Sequence, residues 1–168
     1  MDQKIGFEGA FVVECFRPDG SLRWREKIDN IVTNVGLDEI LDKFWKGSAY
    51  TASHFVGLTD SSPTVAAADT MSSHGGWVED ENYSESVRQT LTLGTVSSQS
   101  VDNSASKAIF TMNATTTIGG VFVTTSNTKG GTTDILISVA AFTEGDRAVI
   151  NLDTINVTYT STAADDGV

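Results

Sequence analysis

The 168-residue chain holds one cysteine, Cys15, and two prolines, Pro18 and Pro63. A single thiol excludes an intrachain disulfide and any C-x-x-C redox or zinc motif. Cations are scarce: 11 Lys and Arg stand against 22 Asp and Glu, for a formal net charge of -11. Binding nucleic acid through its phosphates needs clustered Lys and Arg, so no such partner is expected. No apolar run approaches the length of a membrane span, and no membrane partner is expected either. The opening MDQKIGFEGAF lacks the basic and apolar regions of a signal peptide, which implies synthesis and folding in a reducing cytoplasm.

Enzyme signatures are missing as well. There is no G-x-S-x-G nucleophile elbow. The Gly-Gly of NTKGGTTD (127–134) lacks the P-loop order and reads as a turn. His54 and His74 lack H-E-x-x-H spacing, so a metal site drawing on them with Asp60, Asp69, Glu79 and Asp80 is weakly signalled. Asp69, Ser73 and His74 lie too close in sequence for a catalytic triad, which is assembled from distant segments. The Glu79-Asp80-Glu81 run beside Trp77 and Tyr83 has the residue types of a carbohydrate site, although an acidic loop is more often simply solvated. The Asn-x-Thr sequons at 113–115 and 156–158 carry no meaning in a chain made in the cytoplasm. No catalytic residue, cofactor or metal is assigned.

What is present is β-forming sequence. Fifteen glycines and many Ser and Thr suit short strands joined by turns. AFVVECF (10–16) alternates, with Phe11, Val13 and Cys15 on one face, where a free thiol behaves as a small buried hydrophobe. RPDG (17–20) supplies a turn, and SLRWREKI (21–28) alternates again: Leu22, Trp24 and Ile28 inward, Arg23, Arg25 and Lys27 to solvent. Leu37, Ile40, Leu41, Phe44 and Trp45 repeat at helical spacing, which predicts one amphipathic helix near 36–46, capped near Asn34 and lying as a lid on a sheet. SHFVGL (53–58) reads as a strand. A long aperiodic loop follows over 59–86, a length usually functional or fixed by a partner. Strands are then expected over 87–94, 107–113, 116–125, 134–142, 147–150 and 154–161. One mainly β domain follows, an antiparallel β-sandwich of jelly-roll type over 1–162, with 163–168 as a polar tail.

Three segments together resemble small virion structural proteins of tailed bacteriophages, most closely the head decoration or cement class. They are FRPDGSLRWREKIDNIVTNVGLDEIL (16–41), VGLTDSSPTVAAADTMSSHGGWVE (56–79) and INLDTINVTYTST (150–162), with Tyr83 and Arg88 following the second. The resemblance implies a non-enzymatic oligomer, dimer or trimer, on the capsid surface of the virion, with the major capsid protein and neighbouring copies as partners. A tail or head–tail connector component, or a module for host-surface glycans, is the alternative. Within this reading Gly75-Gly76 is a permissive turn that lets Trp77 anchor the loop or reach a neighbouring subunit. Asp69, His74, Trp77, Tyr83 and Arg88 are the candidate anchor and contact residues.

Overall fold

The computed structural model describes residues 5–50 and 53–165. In chain order its strands are β1 (Ile5–Phe16), β2 (Leu22–Asp29), β3 (Ile31–Val32), β4 (Phe55–Thr59), β5 (Glu79–Asp80), β6 (Gln89–Thr90), β7 (Ser100–Asp102), β8 (Ala108–Thr111), β9 (Thr116–Ile118), β10 (Gly120–Thr124), β11 (Leu136–Ala141), β12 (Arg147–Val149) and β13 (Thr154–Asp165). Helix α1 (Asn34–Ile40) and a π-helical turn (Leu41–Trp45) lie between β3 and β4.

Alternation builds the first sheet, ordered β2-β1-β13, with β7 and β8 sharing the far edge of β13. The turn at 17–20 closes on a Gly20 N–H to Arg17 carbonyl bond of 2.8 Å. The second sheet runs β3-β11-β10-β4, and β5 and β6 share the outer edge of β4. All pairings in both sheets are antiparallel. Their inner faces meet in one core: Phe11, Val13 and Cys15 of β1 with Val157 of β13 on one side, Leu58 and Val121 on the other. This is the expected β-sandwich. The small β9-β12 ladder contributes Ile118 and Val149 to the same core.

Several local expectations change. Leu22 is 48% exposed, because a register shift at Cys15/Phe16 sets it opposite Phe16 on the outer face. Glu26 takes an inward place instead and pairs with Arg147 at 3.3 Å. Arg23 of the outer row is not simply solvated, since it pairs with the buried Asp153 at 2.7 Å. Of 87–94 only Gln89–Thr90 is strand. That stretch crosses strand ends: the amides of Arg88, Leu91 and Gly94 bond to Asn127, His54 and Asp102 in turn. Conversely β13 continues to Asp165, its Ala163 opposite Phe7, so the polar ending begins later than 163. Residues 166–168 lie outside the described residues.

The helix forms where its spacing predicts, but Thr33 caps it. Its hydroxyl accepts the Gly36 N–H at 3.1 Å, while Asn34 is already helical and donates its own N–H to the Ala67 carbonyl at 2.7 Å. The apolar stripe is no lid. Only Gly36 of the helix is buried, against β11, while Leu37, Leu41, Phe44 and Trp45 of the stripe are exposed.

Candidate functional site

The long loop folds back on its own domain. Phe122, Leu136 and Val139 form the outer row of the second sheet, and Met71 and Trp77 of the loop cover them as a second small core with Val65. Trp77 lies 5.2 Å from Phe122 between ring centroids, and His74 stacks on Trp77 at 3.7 Å and 12°. Phe122 fits only because its neighbour on β4 is glycine: a Cβ on Gly57 would sit 2.2 Å from the ring. The loop's shape is set locally. Asp69 accepts the Ala66 N–H at 2.9 Å, Asp60 accepts the Val78 N–H at 2.9 Å, and the Thr64 N–H reaches the Gly75 carbonyl at 3.2 Å. Gly76 has φ +78°, a left-handed turn residue that frees Trp77 to point inward.

Arg88 closes the lower edge of this column, its guanidinium 5.3 Å from the Phe122 centroid. Although the side chain is fully buried, every donor is used. Nε and one terminal nitrogen grip Glu79 bidentately at 2.9 and 2.7 Å. The remaining N–H groups go to Asp134 at 2.9 Å and to the carbonyls of Ser126 and Gly131 at 3.1 and 2.7 Å. Burial opposes its charge, but Glu79 and Asp134 outweigh that and raise its pKa. Glu79 also accepts the Gly130 N–H at 2.8 Å, so the 126–134 turn, β5 and residue 88 are bolted together.

Asp69, His74, Trp77 and Arg88 thus gather on the outer face of the second sheet. Tyr83 does not join them. It lies in the main core, edge-on to Phe110 at 4.9 Å, and burial pushes its hydroxyl pKa up. Lys129 ties it to the turn, lying 3.7 Å from the ring and donating to the Tyr83 and Glu85 carbonyls at 2.9 and 3.0 Å. Burial lowers the His74 pKa, against the pull of Asp69 and the Met71 backbone; burial also lowers that of His54, against Glu39. Cys15 is buried with its Sγ 3.7 Å from Asp153, and its pKa is pushed up to about 12 by burial and then by that carboxylate. The acids at 79–81 are divided: Glu79 serves Arg88, the buried Asp80 accepts from Asn82 at 2.8 and 3.1 Å, and Glu81 is exposed. Among the described residues no three His, Cys, Asp or Glu side chains converge as a metal site. No described helix is long and apolar enough to cross a membrane.

A second surface lies at the helix end. Phe44 and Trp45 are 76% and 74% exposed, edge-to-face at 5.3 Å, with Leu41 and Tyr50 each 53% exposed nearby in sequence. An apolar cavity of about 360 Å³ adjoins them, lined by Ile40, Phe44, Tyr50, Leu93, Val123 and Tyr159 among others. Its charged lining is Glu39 and Lys43, 3.8 Å apart. Asp42 accepts from Lys46 at 2.8 Å, Ser48 at 2.8 Å and Lys43 at 3.1 Å, which holds its carboxyl well below the usual carboxylate range. Sequence reading misses this surface because helical spacing alone does not say whether a stripe meets a sheet or water; the Phe44-Trp45 doublet before Gly47 is its only signal.

The fold and these two surfaces define a β-sandwich with one sheet face roofed by its own loop and an apolar surface left open at the helix end. No family model matches the chain, and no curated protein is similar to it in sequence.

Proposed function

We propose that the chain is a non-enzymatic structural subunit of a tailed-phage particle, a decoration or cement protein that binds and stabilises the assembled head shell. The observation that carries this reading is the destination of the reactive side chains. Glu79 and Arg88 are spent on each other, His74 and Trp77 roof a sheet, and Cys15 is a buried thiol. The chemistry-bearing residues build the fold, while the largest apolar side chains left in water are a contact surface. A net charge of -11 helps keep such a subunit soluble before assembly and suits docking against a basic surface. The glycan reading needs exposed aromatics beside the 79–81 acids, whereas Trp77 and Tyr83 are buried.

Co-sedimentation tests the proposal. Purified protein mixed with heads assembled without it should pellet with them and saturate at a fixed ratio to the capsid protein. Protein that stays in the supernatant at every ratio contradicts shell binding.

A further inference from the structure

We infer that the helix end is a self-complementary interface through which two copies of this chain pair about a two-fold axis, the Phe44–Trp45 prong of each entering the apolar cavity of the other. Both halves of the contact are on one end of one chain. The prong is two large rings, at least 74% exposed and held edge-to-face at 5.3 Å. The socket beside it is an open cavity of about 360 Å³ with walls of Leu93, Val123, Ile137 and Tyr159, and Phe44 itself lines its near side. An isologous interface requires this adjacency, since the patch that gives must also receive.

The helical geometry presents the prong. Over Leu41–Trp45 the turn widens to π-helical, closing through the Lys46 N–H to the Leu41 carbonyl at 3.1 Å. Such single π turns recur at functional positions. Here it leaves two successive aromatics outside the fold.

Charge selects the occupant. The chain carries -11, yet residues 38–46 hold only Asp38, Glu39 and Asp42 against Lys43 and Lys46. Both lysines are engaged within the segment, Lys43 by Glu39 and Asp42, Lys46 by Asp42. A basic partner would find little unpaired carboxylate here, since the charged lining of the cavity is the Glu39–Lys43 pair. A second copy meets a nearly neutral, apolar match. Salt screens the remaining repulsion and favours apolar burial, so pairing strengthens as salt rises.

The interface rests on the reading of the chain as an assembling subunit, and its test is separable from that reading. Sedimentation velocity on the full chain, across a wide concentration range at low and high salt, should show a dimer that tightens with salt. Trp45→Ser removes the half of the prong that forms no part of the socket wall, and Leu93→Asp blocks the socket. Each should give a monomer with the wild-type circular-dichroism spectrum. Mixing the two variants restores one prong-in-socket contact and should yield a heterodimer by native mass spectrometry. A wild-type chain that stays monomeric at every salt, or variants that dimerise like wild type, overturns the interface. A monomer that still saturates heads would sink this interface and leave shell binding standing; a dimer that ignores heads would do the reverse.

Discussion

Arg88 carries more of the local structure than any other single side chain near the loop. Removing one partner of a buried ion pair leaves uncompensated charge, here Glu79 and Asp134, at a cost of about 3–5 kcal/mol. Arg88→Met should therefore lower the melting temperature by on the order of 10 °C. Arg88→Lys should not rescue it, because an ammonium has three donors and no planar fork for Glu79. A lysine variant that melts like wild type would contradict the five-donor account. The two histidines make a pH prediction. Both have pKa values depressed in the fold, chiefly by burial, so the folded state resists protons that the unfolded chain takes up below about pH 6.5. Their contribution is present in full above that value and is lost as pH falls through it toward the folded pKa values. Between about pH 7.5 and about pH 5.5 the wild type should lose more thermal stability than a His54→Gln, His74→Gln variant. Equal losses would show that neither imidazole resists protonation in the fold.

At the scale of elements, the loop and the helix exchange the roles that sequence pattern suggests. The aperiodic loop is the lid, through Trp77 and Met71, and the periodic helix is exposed. Trp77→Ala should cost roughly 3–5 kcal/mol. It should also open the 60–78 segment to limited proteolysis while the β1–β2 hairpin stays resistant; a variant as stable and resistant as wild type would refute the anchor. The hairpin is legible in sequence because Phe11, Val13 and Cys15 alternate strictly and RPDG supplies the turn. β3, β5 and β6 are not legible, since two-residue strands are defined by the neighbour they meet and not by their own pattern. Trp77 is legible as an anchor from the glycines before it. Its contact Phe122 is hidden, because the apolar run Val121-Phe122-Val123 does not itself show that the sheet is covered on both faces. Arg88 is visible as a residue, but its partners Glu79 and Asp134 come from segments 9 and 46 positions away.

For the whole molecule, the acidic balance and the sandwich fit one another. Burial of both faces of the second sheet accounts for the apolar run in β10. Residues 38–46 hold three of the 22 acids and two of the 11 basic residues, so the helix accounts for little of the net charge of -11. Copy number in purified particles, by quantitative mass spectrometry normalised to the major capsid protein, asks directly what the chain is for. A decoration subunit should be present in a fixed, symmetry-compatible ratio to the capsid protein, on the order of hundreds of copies. A handful of copies would place it in the tail or connector, and absence from the particle would contradict the virion role altogether.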